Sequence, residues 1–94
     1  MKYKPKPIET SKIQLSQDLI VLSELLARNA HEIWAEKRFS EGWEWGSDKK
    51  DQIKKSPNLI PFDELPESEK EYDRTMVIET LKAIIVLGFS IERK

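Results

Sequence analysis

The chain has no cysteine. That removes disulfides, thiolate metal sites and cysteine nucleophiles together, and favours a reducing compartment. Histidine occurs once, at His31, so a zinc site would need mostly carboxylates and no metal is expected. Glycine stands only at positions 42, 46 and 88. Neither a P-loop nor a G-x-G-x-x-G or G-x-S-x-G motif can be written with them, and no cofactor is expected. No apolar run of signal-peptide or membrane-spanning length follows the basic start MKYKPKPIETS, so the expectation is a cytoplasmic protein without membrane insertion. Neither sign of charge prevails, with 16 Lys and Arg against 17 Asp and Glu. A net charge of −1 gives no general attraction to nucleic acid.

What remains is a single small domain. Ninety-four residues bury only roughly 60–65% of their unfolded surface. A hydrophobic content of 38% with eight aromatic residues argues against disorder. The first helix is predicted from Gln17 to about Arg38: Ser16 is placed to cap it and Asp18 lies in its first turn. Leu19, Leu22, Leu26, Ala30 and Ile33 recur at spacings of three and four, with Leu25 and Trp34 widening the stripe. The second helix is predicted over 67–87, after Pro66, with Val77, Ile78, Leu81, Ile84 and Ile85 as its apolar stripe. Gly88 ends it as a left-handed cap, with Phe89 folding back. The acidic run Asp63 to Asp73 falls at this helix start, where the dipole favours carboxylates.

Residues 39–66 form a crossover too long for a plain turn. It carries Trp43, Trp45 and Ile53, then Leu59 and Ile60 between Pro57 and Pro61, and is expected to be ordered. Beyond a basic arm at 1–10, the alternation in SKIQL (Ser11 to Leu15) and FSIE (Phe89 to Glu92) predicts short strands near both termini.

The segment HEIWA begins like a zinc-protease motif, but the position one helical turn beyond His31 is Ala35 and not a second histidine. An enzyme would have to use His31 with Glu32, Asp73 or Tyr72 as acid and base. The expectation is no enzyme.

Four motifs occur in a fixed order: N-x-H-E-x-W-A-x-x-R at Asn29 to Arg38, G-W-x-aromatic-G at Gly42 to Gly46, P-x-L-x-P-aromatic at Pro57 to Phe62, and E-K-x-x-D-R at Glu69 to Arg74. Together they resemble the repeat of ryanodine receptors, the RyR domain, from about Tyr3 to Ile91. Trp45 stands where that family usually has tyrosine, and Ser56 where histidine is common. The resemblance implies two long antiparallel helices, an ordered crossover and short strands, as a single copy of the kind found alone in prokaryotes and phages. It implies neither calcium conduction nor ryanodine binding. Asn29, Glu32, Trp34, Gly42, Gly46, Pro57, Pro61, Asp73 and Gly88 are the motif residues expected to be structural.

The functional expectation is a module that binds a small anionic or nucleotide-like ligand, or docks a protein partner, beside the Gly42 to Gly46 loop. Its ligand residues would be Trp43 and Trp45 with Arg38, Arg74, His31 and Tyr72, because indole faces and guanidinium groups both accept planar anions. One indole would anchor the loop near Trp34 and the other face solvent close to Arg38 or Arg74, with Lys49 nearby. The alternative is a pure interaction or self-association domain. Nucleic acid is the weakest reading, since the acidic run breaks any basic groove. A Glu32–Arg74 ion pair is expected to orient the helices.

Overall fold

The computed structural model describes residues 2–48 and 53–94. Two helices, α1 (Gln17–Ser40) and α2 (Glu67–Val86), flank a crossover that contains two-residue strands β1 (Glu44–Trp45) and β2 (Lys55–Ser56) and a 3-10 turn at Phe62–Glu64. No helix among the described residues is long and apolar enough to cross a membrane.

Both helices begin and end for identifiable reasons. The Ser16 hydroxyl accepts the Leu19 N–H at 3.3 Å, satisfying one of the free donors of the first turn of α1. At the other end Gly42 has φ +90°; its N–H donates to Phe39 O at 3.0 Å and the Trp43 N–H donates to Arg38 O at 2.9 Å. This double bond is a Schellman cap. It extends α1 two residues past the expected end, to Ser40. The same cap closes α2: Gly88 has φ +97°, with Gly88 N–H to Ile85 O at 3.0 Å and Phe89 N–H to Ile84 O at 3.1 Å. Only the backbone of Phe89 folds back, for its ring is exposed. A Cβ at Gly88 would meet nothing within 4 Å, so a substitution there is opposed by backbone strain alone. Gly88→Val should therefore cost about 1–2 kcal/mol in denaturant unfolding. An unchanged midpoint would show that the cap contributes nothing.

The helices run in opposite senses, for contacts late in α2 meet residues early in the chain. Thr10 Oγ1 donates to Glu79 at 2.6 Å, Glu24 pairs with Arg74, and a cavity joins His31 and Trp34 to Glu69, Tyr72 and Asp73.

The most buried face of α1 is offset from the expected stripe, of which Leu19, Leu22 and Leu26 are half-buried and Ala30 and Ile33 exposed. Ser23, Ala27, His31 and Ala35, one per turn, are the buried residues, while Leu25 and Ile33 remain 60% and 59% exposed. Small side chains allow close helix approach, and the two polar members bring their own partners. Ser23 Oγ donates to Ile20 O at 2.6 Å, and His31 bonds Ile60 O. The volume expected from the leucines of α1 is supplied by the crossover, where Leu59, Phe62 and Leu65 are buried. Ala27, Phe62 and Leu65 form the central cluster, with Ile60 and Val77 against it.

The expected terminal strands do not form. Residues 11–12 make a turn and 89–94 carry no strand; Leu15 is buried without any backbone ladder. The strands are instead inside the crossover, where β1 pairs in parallel with β2 through Glu44–Lys55 and Trp45–Ser56. Gly46 is needed for this approach, since a Cβ there would lie 2.8 Å from the Lys55 Cβ.

Candidate functional site

The cap of α1 determines where the tryptophan loop sits. A Schellman cap brings the residue after the glycine back over the third residue from the helix end, here Trp43 over Arg38. The Arg38 guanidinium lies 4.5 Å from the Trp43 ring centre and 5.8 Å from that of Trp34. Trp34 in turn stacks on His31, with centres 5.5 Å apart and planes at 26°, and the His31 and Phe62 rings make an edge-type contact with centres 6.1 Å apart. His31, Trp34 and Arg38 follow at spacings of three and four, so one side of α1 carries a continuous row of planar groups.

Trp43 is half-buried and Trp45 is 55% exposed; the two are not sealed together, in keeping with the expected division. The exposed indole, however, has no cationic group stacked on it among the described residues, and Lys49 lies outside them. The cation expected beside the exposed indole is beside the half-buried one. The ladder also fixes the loop through Glu44, whose carboxylate bonds Lys55 Nζ; that bond holds the carboxyl below its usual range.

Arg74 is not part of this row. Its Nε donates to Glu24 Oε1 at 2.8 Å and its Nη2 to Glu24 Oε2 at 3.3 Å, with Glu71 at 3.0 Å and Glu67 at 3.5 Å. These bonds raise its already high pKa further. Three carboxylates occupy most of its donors, so Arg74 ties α2 to α1. The expected Glu32–Arg74 pair is likewise replaced by Glu24–Arg74. Glu24 lies two turns earlier, because the last turns of α1 extend past the start of α2. Asn29 and Glu32 are exposed and line a shallow concavity of about 480 Å³ with Ile33, Ala35, Glu36 and Phe39.

His31 is 5% exposed. Its Nε2 is 2.7 Å from Ile60 O, a contact that requires a proton on that nitrogen. The ring thus pins the Pro57–Pro61 segment to α1. Of the two prolines, Pro57 is half-buried and Pro61 exposed. Asp73 is half-buried, and its carboxyl is pushed up by burial, with Glu69 adding to the rise and His31 opposing it. Its ionised form is therefore disfavoured in the folded chain, and stability contributed by this group declines as pH rises through its titration. Among the described residues no three His, Asp or Glu side chains are grouped to hold a metal.

Three residues of consequence were not singled out by sequence reasoning: Glu24, Arg28 and Phe62 as a hub. Arg28 lies 4.9 Å over the Phe62 ring and pairs with Asp63 at 2.7 Å. Arg74 covers the same ring at 5.8 Å. The i,i+4 spacing of Glu24 and Arg28 was the available signal.

These features define a small two-helix domain whose crossover is bolted to one helix by a histidine and a tryptophan loop. A family model for the RyR domain matches residues 3–93. The chain belongs to the RyR domain family.

Proposed function

We propose that the domain is a non-enzymatic cytoplasmic binding module that takes the anionic edge of a small, nucleotide-like ligand at Arg38, beside Trp43. The observation that carries this reading is the state of Arg38. Arg28 and Arg74 have carboxylates at 2.7 and 2.8 Å, whereas among the described residues Arg38 has only Glu41, at 3.9 Å. A guanidinium held over an indole keeps its in-plane N–H donors free and oriented, which suits bidentate acceptance of phosphate or carboxylate. Trp45 supplies a further aromatic face on the same loop.

Tryptophan fluorescence and calorimetry with nucleotides, cyclic dinucleotides and phosphorylated metabolites test the reading. At least one compound should saturate the response, and Arg38→Ala or Trp43→Ala should weaken it about tenfold or more with the thermal transition retained. No saturable response below millimolar would overturn it. Self-association would then come first, favoured by the uncovered apolar side chains of Val21, Leu25, Ile33 and Phe39 along α1; light scattering would show a dimer.

A further inference from the structure

We propose that the cavity between α1 and α2 lined by Trp34, Tyr72, Glu69, Asp73 and His31 is a binding site for a small organic cation, an ammonium or guanidinium group. Arg38 and Trp43 are not part of its lining, and it does not depend on the anion reading.

Four observations carry this. Glu69 and Asp73 stand one turn apart on α2, a like-charged i,i+4 pair that opposes the helix unless a cation sits between them. Among the described residues neither carboxylate has an ion-pair or hydrogen-bond partner, although nearby Arg74, Lys70 and Arg28 all pair with other acids. Two aromatic rings, Trp34 and Tyr72, border the same cavity, and their faces attract cations at close range. Finally, His31 is 5% exposed yet still lines the cavity. Its Nε2 is committed to Ile60 O, and its Nδ1, which has no hydrogen-bond partner among the described residues, is not sealed from solvent, leaving an acceptor open to a ligand N–H. Asn58 adds an amide at the rim. The volume, about 250 Å³, is below the roughly 300–1,000 Å³ of pockets for drug-sized molecules. It suits a head group or a single side chain. An aromatic face plus carboxylates prefers an alkylated ammonium or a guanidinium, whose charge is spread and weakly hydrated, over a bare metal ion.

The cation can be a free amine or the lysine or arginine side chain of a partner. Titration with methylammonium, tetramethylammonium and guanidinium, each against sodium chloride at equal ionic strength, separates binding from screening. The indole N–H of Trp34 and the ring of His31, followed by NMR, should shift saturably with an organic cation and not with sodium. Asp73→Asn should weaken the response at least tenfold. Glu69→Gln, at an exposed position that leaves the fold untouched, should weaken it at least threefold. Lysine- and arginine-containing peptides with blocked ends form the second arm: tighter binding than the free amines by tenfold or more assigns the site to a partner's side chain, and equal binding assigns it to a free cation. Shifts that follow ionic strength alone, or a full response in Glu69→Gln and Asp73→Asn, would overturn the proposal.

Discussion

Phe62→Ala should lower stability by about 3–5 kcal/mol, the usual cost of removing a buried phenylalanine. Phe62 is 3% exposed and belongs to the central cluster with Ala27 and Leu65. Its ring also lies under the guanidinium groups of Arg28 and Arg74 and makes an edge-type contact with His31. A domain of this length has roughly 5–14 kcal/mol to lose, so the variant should sit near the edge of folding at room temperature. The effect should reach further than volume, since the two guanidinium groups would lie over a void while still bonded to Asp63 and Glu24. Urea unfolding followed by tryptophan fluorescence measures this directly. Phe62→Leu, which keeps most of the volume, should cost clearly less. A loss below about 1 kcal/mol for the alanine variant would mean that the crossover does not hold the core, and that the helices pack without it.

Where the sequence was legible, local chemistry decided the structure. Ser16 before an acidic first turn, Pro66 before α2 and Gly88 after it each act within a few residues, and each helix begins and ends within two residues of the expected place. The crossover was legible as ordered, because Trp43, Trp45 and Ile53, with Leu59 and Ile60 between two prolines, make the segment too apolar to be solvated. Besides the packing face of α1, two things were not legible. Alternation in SKIQL and FSIE is equally a strand or an extended segment with one side inward, and pairing decides between them; the pairing went to Glu44–Trp45 and Lys55–Ser56, two residues each, too short for any pattern to show. The partner of Arg74 depends on how far α1 overhangs α2, a register that no local signal encodes. The site divides in the same way. Trp43 beside Arg38 follows from the glycine cap and was within reach of sequence reasoning, whereas the capture of Arg74 by Glu24, Glu67 and Glu71 is a tertiary outcome.

The choice of face on α1 yields the sharpest contrast. Periodicity marks a leucine stripe, yet the buried positions are Ser23, Ala27, His31 and Ala35, and Leu19, Leu22 and Leu26 of the stripe are only half-buried. Ala27 is fully buried, at 0% exposure. Ala27→Leu would force three extra heavy atoms into a seam closed by Phe62 and Leu65, and should cost about 1–3 kcal/mol as an overpacked core does. The leucine is nearly as good a helix former as alanine, so propensity cannot account for such a loss. Leu25→Ala removes the same three atoms two positions away, from a side chain 60% exposed, and should change stability by no more than about 0.5 kcal/mol in dilute solution. If α1 instead packed by its leucines, the order would invert, with Leu25→Ala costing about 2–5 kcal/mol and Ala27→Leu tolerated on the surface. Denaturant midpoints of the two variants, measured at low protein concentration so that association does not mask the leucine face, decide between the arrangements. A third outcome, in which Leu25→Ala is costly only at high concentration, would show that the uncovered face of α1 closes on a second copy.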